Sequence, residues 1–229
     1  MSSAPVVIIF ARAPTPGRAK TRLIPALGPE AAAELYRCFL LDTLAGAAGL
    51  PADIVVAAAG EEDAPEVAAL AARACPRARV TVQAGADLGA RMHRAFMEAF
   101  AAGRPRAVIL GADLPTLPMS RVRHALALLN DCGLVVGPCL DGGYYLVGLR
   151  GPQPGLFEPM GWGGSGVLAE TLRRARATDL AVSLLEPWYD VDTPHDLTTL
   201  RLHLDALALV RSVPCLATWR YLREHPWRR

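Results

Sequence analysis

The sequence predicts an α/β protein, a three-layer α/β/α sandwich built on a mostly parallel β-sheet. Short apolar runs rich in β-branched residues recur along the chain, and helical stretches separate them. The runs are apolar throughout, as expected for parallel strands that helices cover on both faces. The 229 residues, 52% of them hydrophobic, are enough for a substantial core, and we expect one domain spanning 1–229.

Strands and helices alternate through the first 138 residues. Strands are predicted over 6–10, 53–59, 79–83, 107–110 and 134–137. The first helix is predicted from Gly28 to 46, because proline and then glutamate follow this glycine, and a helix N-terminus favours both. Further helices are predicted over 65–74, 88–100 and 119–130. This part of the chain therefore forms a doubly wound unit.

The regular alternation of strands and helices ends after this unit. A strand is predicted over 144–149, and a Gly/Pro-rich segment follows over 150–166. A helix over 167–176, a short strand over 180–185 and a long helix over 194–211 complete the fold. Trp219, Tyr221 and Trp227 lie among arginines near the C-terminus. Because aromatic side chains are mostly buried, we interpret this region as a docked helix rather than a binding tail.

Composition excludes several classes of protein. The net charge of +2 is too small for the basic surface that nucleic-acid binding requires, so we expect no nucleic-acid partner. The five cysteines are widely spaced and contain no C-x-x-C pair, which argues against a disulfide framework and a zinc site. The apolar run near the N-terminus is too short for a signal sequence or a membrane span. We therefore expect a cytoplasmic protein with no membrane partner, either a monomer or a homodimer.

Four cations cluster in the loop after the first strand. Arg12, Arg18, Lys20 and Arg22 fall within eleven residues, together with Gly17, which lets backbone N–H groups approach an anion. Lys20 is the only lysine of the chain, and every other basic residue is arginine. Lysine binds phosphate as a compact point charge. The loop therefore predicts a phosphate-binding site, with a solvated basic loop as the alternative.

A carboxylate follows the fourth predicted strand. Asp113 stands behind Gly111, on a backbone that Pro115 and Pro118 stiffen. In an open α/β sheet, ligands bind at the carboxyl ends of the strands. A carboxylate in that position suits a hard cation such as Mg²⁺ or Mn²⁺ that bridges phosphate oxygens. The alternative is that Asp113 caps the next helix, but five residues separate it from the predicted start of that helix, which weakens this interpretation.

The segment Asp141-Gly142-Gly143 leads into the strand predicted at 144. Its position at a strand end places it beside Asp113, and its glycines would let backbone amides approach a ligand hydroxyl. The same Asp-Gly-Gly pattern is also typical of an ordinary hairpin turn. Both interpretations stay open from the pattern.

A third acidic segment precedes the last predicted helix. Asp190 and Asp192 alternate on an extended stretch, so both can point to the same side. One of them could complete a metal site with Asp113. The other could cap the helix, a role that Asp192 and Thr193 fit equally well.

Together these segments resemble a family of small bacterial glycosyltransferases with the GT-A, or nucleotide-diphospho-sugar transferase, fold. The N-terminal stretch is also similar to that of the guanylyltransferases that activate phospholactate or phosphoenolpyruvate in deazaflavin-cofactor synthesis, and molybdopterin guanylyltransferases share the fold. The match covers nearly the whole chain in order. The matching segments are FARAPTPGRAKTRL at 10–23, LGARM at 88–92, GADLP at 111–115, DGGYYL at 141–146 and DVDT at 190–193.

The resemblance implies a role for each segment. The loop would bind the diphosphate, and Asp113 would occupy the place of the GT-A metal-binding acid, with Mg²⁺ or Mn²⁺ as cofactor. The assigned nucleotide-binding residues are Ala11, Arg12, Pro16, Gly17, Arg18, Lys20, Arg22, Gly85 and Arg91. The assigned metal ligands are Asp113, Asp190 and Asp192, and the assigned catalytic residues are Asp113, Asp141 and Asp192.

The resemblance also places the second substrate. Gly142, Gly143, Tyr144 and Trp162 are assigned to its pocket. The chain departs from the family over 162–167, where a more polar sequence is expected and where the extra glycines suggest a mobile lid. The implied function is a metal-dependent transfer from a nucleotide or nucleotide-sugar donor to a small-molecule acceptor. Sugar transfer is the leading hypothesis, with nucleotidyl transfer to a phosphorylated acceptor, or a non-catalytic nucleotide-binding module, as alternatives.

Overall fold

The computed structural model describes residues 4–226 and contains one seven-stranded sheet. The strands lie in the order β3-β2-β1-β4-β6-β5-β7. All pairings are parallel except those of β6, which runs antiparallel to β4 and β5. The strands are β1 Val6–Ala11, β2 Asp53–Ala58, β3 Arg79–Val82, β4 Ala107–Gly111, β5 Leu134–Pro138, β6 Tyr144–Leu149 and β7 Val182–Leu184.

Helices cover both faces of the sheet. The helices are α1 Ile24–Leu27, α2 Pro29–Ala47, α3 Ala64–Ala74, α4 Leu88–Ala101, α5 Met119–Leu128, α6 Val167–Ala177, α7 Pro194–Leu209 and α8 Leu216–Glu224. Alternate residues of β1 face opposite layers: Val7 and Ile9 belong to the apolar cluster that includes α2, α3, α5, α7 and α8, whereas Val6 and Ile8 belong to the cluster that includes α4 and α6. The predicted three-layer α/β/α sandwich with a mostly parallel sheet is confirmed.

The C-terminal helix packs against the core, as the aromatic residues predict. Trp219 and Tyr221 are partly buried on it, and Trp227 lies outside the described residues. The carboxylate of Asp42 in α2 accepts hydrogen bonds from the backbone N–H groups of Ala217 and Thr218, at 2.9 and 2.8 Å. These bonds satisfy donors that the first turn of α8 would otherwise leave unpaired.

The reversed direction of β6 has a consequence for the site. A parallel strand after β5 would require a long crossover, but an antiparallel one needs only a short turn. The turn at 139–143 therefore lies at the carboxyl edge of β5, where the loops after β1 and β4 also meet. Within residues 4–226, no helix is long and apolar enough to cross a membrane.

Candidate functional site

A cleft of about 590 Å³ opens at the carboxyl edge of the sheet. Its walls come from the loop after β1, the end of β4, the start of β6 and the segment before α7. Cations from the first loop and α4 line it together with three carboxylates. The charged residues that line the cleft are Arg12, Arg18, Lys20, Arg22, Arg91, Asp113, Asp190 and Asp192.

Lys20 lies at the centre of these charges. Its Nζ is 2.6 Å from Oδ1 of Asp113 and 2.7 Å from Oδ1 of Asp192, and its side chain is only 4% exposed. The ammonium also lies 5.9 and 5.8 Å from the ring centroids of Tyr36 and Phe39. Burial lowers the pKa of Lys20, but the two carboxylates outweigh it and raise that pKa overall. The lysine therefore stays charged.

Two buried side chains fix the loop that carries Lys20. The backbone N–H of Ala13 donates to Oδ1 of Asp63 at 3.0 Å, and that of Arg12 donates to the Tyr36 hydroxyl at 3.1 Å. Burial, followed by the nearby Asp113, raises the pKa of Tyr36, so the phenol stays protonated. Sequence reasoning missed both residues, since neither belongs to a motif.

The remaining cations of the loop are exposed and adjustable. Arg18 forms an ion pair with Glu62 at 2.9 Å, and Nη1 of Arg12 donates to the Arg18 carbonyl at 3.2 Å. Arg22, 73% exposed, lies 3.9 Å from Asp192. Exposed pairs of this kind are weak, so these side chains can exchange partners for an incoming anion.

The other residues assigned to nucleotide binding lie around this loop. Ala11 lines the cleft, whereas Pro16 and Gly17 are exposed on the loop outside its lining. Gly85 is also outside the lining and adopts φ 149°, and its carbonyl accepts from Nε of Arg91 at 3.2 Å. A Cβ at Gly85 would collide with the backbone of Ala90 and Arg91. Gly85 therefore supports the position of Arg91, which does line the cleft.

The structure decides between the capping alternatives. The helix α7 has Thr193 as its N-cap, in a capping box with Asp196, which leaves the carboxylate of Asp192 free for Lys20. The N-cap of α5 is Pro118, so Asp113 caps no helix there. The backbone N–H of Val191 donates to the Asp113 carbonyl at 3.1 Å, and this bond holds the two acidic segments side by side.

The carboxylates at this edge have unlike environments. Burial, together with Asp192 and Asp141, raises the pKa of Asp190. Burial also acts to raise the pKa of Asp192, but Lys20 outweighs it and the pKa is lowered. Sγ of Cys139 lies 3.5 Å from Oδ1 of Asp190 and can donate to it, because burial first, and then Asp190 and Asp141, raise the thiol pKa to about 12.

These residues offer oxygen ligands for a hard divalent cation. The ammonium of Lys20 lies between Asp113 and Asp192 and contacts both, so these carboxylates already share one positive charge. Among residues 4–226, the group whose ligand atoms lie within 4.8 Å of one another is Cys139, Asp141 and Asp190. Since the thiol stays protonated, only its two carboxylates suit Mg²⁺ or Mn²⁺. The assigned metal ligands Asp113, Asp190 and Asp192 do not form such a group among the described residues.

A side pocket of about 180 Å³ branches from the cleft. Asp113, Asp190 and Tyr144 are among the residues that it shares with the cleft, and Asp141, Gly143 and Trp162 are among those that line the side pocket alone. Three of the four residues assigned to the second substrate, Gly143, Tyr144 and Trp162, therefore lie at one pocket.

The fourth assigned residue, Gly142, holds the wall of the side pocket in place. It adopts φ 92°, and a Cβ there would overlap the backbone of Ser165. Its carbonyl accepts from the N–H of Leu168 at 3.0 Å. The Asp-Gly-Gly turn and the glycine-rich segment over 161–166 are therefore packed together.

The fold is that of the nucleotide-diphospho-sugar transferases. A solved structure from Desulfovibrio desulfuricans G20, named a "putative nucleotide-diphospho-sugar transferase", matches with a TM-score of 0.88 and 37% identity over 98% of this chain and 95% of that one. A cytidylyltransferase from Leptospira borgpetersenii matches with a TM-score of 0.57 and 14% identity, over 98% of this chain and 96% of that one. At that identity the likeness concerns the fold alone.

Residues 40–164 match the model of a bacterial family described as "Uncharacterized protein conserved in bacteria (DUF2064)", and the chain belongs to this family. A 4-diphosphocytidyl-2C-methyl-D-erythritol synthase from Anaerococcus prevotii shares the fold, with a TM-score of 0.60 and 11% identity over 89% of this chain and 96% of that one. No curated protein matches the chain.

Proposed function

We propose that this protein is a metal-dependent transferase that takes a nucleotide-sugar as its donor. The observation that carries the proposal is the meeting of a cationic loop with three carboxylates in one cleft, with Lys20 between Asp113 and Asp192. Both halves of such a site can hold a diphosphate, since cations bind its oxygens directly and carboxylates can hold a metal that shares them.

The loop after β1 would hold the diphosphate. Arg12, Arg18 and Arg22 are exposed and weakly paired, so they can turn toward an anion without breaking the fold. Arg91, from α4, also lines the cleft. A volume of about 590 Å³ lies within the usual range for small-molecule sites, roughly 300–1,000 Å³.

The acidic edge would hold Mg²⁺ or Mn²⁺ through Asp113, Asp190 and Asp192. When bound, the ion would help to neutralise the departing nucleoside diphosphate. Lys20 would then release its carboxylates and bind the phosphates, and Asp141 would orient the acceptor hydroxyl from the side pocket. The relative from Desulfovibrio desulfuricans bears a transferase name and 37% identity, which supports this assignment.

Nucleotidyl transfer to a phosphorylated acceptor would use the same residues and is the alternative activity. The two reactions differ in the product that leaves, a nucleoside diphosphate for sugar transfer and pyrophosphate for nucleotidyl transfer. A non-catalytic nucleotide-binding module would release neither.

The test combines binding with product analysis. A thermal-shift screen of nucleotides and nucleotide-sugars, with and without Mg²⁺ or Mn²⁺, should find a donor that raises the melting temperature, because a ligand that binds only the native state stabilises it. The stabilising donor is then incubated with the protein and an acceptor panel, and products are separated by ion-exchange chromatography. Release of nucleoside diphosphate is expected. Turnover that persists in Asp113→Ala, or metal-independent turnover, would contradict the proposal.

A further inference from the structure

We propose that a groove on one face of the sheet, beside the edge strand β3, is a second binding site, which takes a small organic oxyanion. The groove has a volume of about 300 Å³, and residues of β1, β2, β3 and α4 line it. Its ligand would carry a phosphate or a carboxylate on an apolar body. The site itself is independent of the proposed function, whereas its coupling to the cleft rests on that function.

The groove exists because α4 leaves part of the sheet uncovered. Ile8, Val55 and Arg79 are register partners across β1, β2 and β3, so their side chains share one face. Ile8 is 3% exposed, Val55 is partly buried and Arg79 is exposed. The side of α4 that lines the groove carries the small residues Ala95 and Ala99. Burial therefore falls toward β3, and an open space remains between the helix and the edge strand.

The groove is strongly positive. Five arginines and two carboxylates line it, which leaves a net formal charge of +3 from the described residues. A concave surface with one sign of charge attracts ligands of the opposite sign. The arginines are Arg77, Arg79, Arg91, Arg94 and Arg104, and the carboxylates are Asp53 and Glu98.

Three of these arginines have donors to offer a ligand. The guanidinium of Arg79 has no hydrogen bond or ion pair within the part of the chain that the structure describes. Arg94 pairs with Glu98 at 2.6 Å, but the two side chains are 63% and 55% exposed, and such pairs are weak. Nε of Arg91 donates to the Gly85 carbonyl at 3.2 Å, which leaves its terminal N–H groups for a ligand. Guanidinium groups bind phosphate and carboxylate through two parallel hydrogen bonds.

The other two arginines are fixed in place. Arg104 forms an ion pair with Asp53, so this pair adds no net charge. Arg77 keeps its charge uncompensated, because its four acceptors are neutral backbone carbonyls. These carbonyls, at 2.6 to 3.2 Å, belong to Ala47, Ala48, Leu50 and Ala52. Arg77 therefore strengthens the positive field of the groove without contacting its ligand.

The floor of the groove selects an organic anion rather than a bare one. Val6, Ile8, Val55 and Ala57 line the groove and belong to the same apolar cluster as the inner face of α4. An apolar body on the ligand would displace water from this floor, a gain that inorganic phosphate cannot make. The volume of about 300 Å³ is at the lower end of the usual range for small-molecule sites, roughly 300–1,000 Å³.

The groove is joined to the cleft through shared residues. Gln83 and Arg91 line both. One guanidinium cannot give all its donors to a phosphate in the cleft and to an oxyanion in the groove, and the two anions also repel each other. A ligand in the groove should therefore weaken the binding of nucleotide phosphates, and the effect is reciprocal. On this basis the groove is an inhibitory site.

The first experiment compares matched ligands on the whole protein by calorimetry. The four ligands are 1-naphthyl phosphate, 1-naphthoate, the uncharged 1-naphthol and inorganic phosphate. At least one naphthyl oxyanion should bind, about tenfold or more tightly than either 1-naphthol or inorganic phosphate. The tighter of the two oxyanions identifies the charged group that the arginines prefer, and either order supports the site. Binding of neither oxyanion, or equal affinity for 1-naphthol or inorganic phosphate, overturns the inference.

Variants locate the bound oxyanion. Arg79→Glu reverses the unpaired charge of the groove and should weaken binding about tenfold or more. Ala95→Leu fills the groove without changing its charge and should weaken binding as well. Arg123→Glu is the control, because Arg123 is exposed on α5, which packs on the opposite face of the sheet. Circular dichroism melting checks that each variant folds. Equal affinities in Arg79→Glu and Arg123→Glu would place the ligand elsewhere and overturn the inference.

The second experiment measures the coupling. The nucleoside diphosphate of the donor that the thermal-shift screen selects is titrated with and without saturating naphthyl oxyanion. Its affinity should fall about fivefold or more when the groove is occupied, and this loss should disappear in Arg79→Glu. A loss that persists in Arg79→Glu shows direct competition in the cleft, and an unchanged affinity shows no coupling, so either result overturns the inhibitory role. The naphthyl titrations need no nucleotide, so their failure is distinguishable from a failure of the proposed function.

Discussion

The ammonium of Lys20 lies 2.6 Å from Oδ1 of Asp113, the carboxylate assigned to the metal. The same nitrogen contacts Asp192 at 2.7 Å, and its side chain is 4% exposed. A compact, buried ammonium neutralises these acids more fully than an exposed guanidinium would. We therefore expect a divalent cation at this edge to compete with Lys20 for the same carboxylate oxygens.

Replacing Lys20 with methionine should expose this competition. Lys20→Met keeps an unbranched side chain that is one atom shorter and removes its charge, so the affinity for Mn²⁺ without nucleotide should rise about tenfold, or ~1.4 kcal/mol. Affinity for a nucleoside diphosphate should fall, because its phosphates lose a cationic partner. Electron paramagnetic resonance titration of free Mn²⁺ measures the first effect, and calorimetry measures the second.

Arg22→Met is the matched control for that prediction. Arg22 lies 3.9 Å from Asp192 but is 73% exposed, so solvent and salt screen its charge. Its loss should change Mn²⁺ affinity far less than the loss of Lys20. Equal Mn²⁺ affinities in wild type and Lys20→Met would show that the ammonium does not occupy the metal's place.

Two isosteric substitutions, two residues apart, should change stability in opposite directions. Burial raises the pKa of Asp190, so its favourable contribution is present below the ordinary carboxyl pKa and is lost as pH rises through the raised value. At neutral pH, Asp190→Asn removes a partly buried, ionised group and should raise the melting temperature. A gain of about 1 kcal/mol corresponds to roughly 2–4 °C for a chain of this size.

The sign is reversed at Asp192. Although burial opposes ionisation there, Lys20 lowers the pKa, so the stabilising contribution is present above the ordinary carboxyl pKa and is lost as pH falls through the lowered value. Asp192→Asn should therefore lower the melting temperature at neutral pH, by ~1 kcal/mol or less because the side chain is 39% exposed. Calorimetric scans from neutral to acidic pH should show the two variants converging. Shifts of equal sign at neutral pH would disprove the assignment of charges.

Much of the site follows from strand ends, which the sequence marks clearly. Lys20, Asp113 and Asp192 lie at loops after or beside predicted strands, and the carboxyl ends of parallel strands meet at one edge. Asp63 and Tyr36 could not be found in this way, because their contacts depend on how α2 and α3 pack against β1. The sequence pattern places a residue at the carboxyl edge of the sheet, but it does not give the distances between residues that meet there.

The element boundaries show the same limit. The short helix α1 was missed because its four residues, Ile24–Leu27, carry no periodic signal. The edge strand β7 pairs only over Val182–Leu184, whereas its apolar run predicted 180–185. Leu180 instead lies against Gly133, where a Cβ would collide with it. Such ends are decided by packing between elements distant in sequence.

The turn that walls the side pocket should tolerate no side chain at Gly142. In Gly142→Ala, the alanine would have to adopt φ 92° and its Cβ would overlap the backbone of Ser165. We expect the free energy of unfolding to fall by about 1–3 kcal/mol. The segment carrying Trp162 should move, so the tryptophan emission should shift. Gly155→Ala is the control, since nothing lies within 4 Å of a Cβ there and its melting temperature should stay unchanged. A Gly142→Ala protein as stable as wild type would contradict the packing of turn against segment.

Asp63 should control nucleotide affinity without touching the nucleotide. Its side chain is buried, with the residue 4% exposed, and accepts the N–H of Ala13, which anchors the cationic loop to the start of α3. Asp63→Ala leaves that buried donor unpaired, at a cost of about 1–3 kcal/mol, and frees the loop. Asp63→Asn keeps an acceptor oxygen in the same place. Denaturant unfolding and calorimetry with a nucleoside diphosphate should therefore show losses of stability and affinity in the alanine variant that the asparagine variant largely restores. If both variants lose affinity equally, the carboxylate charge matters rather than the anchor.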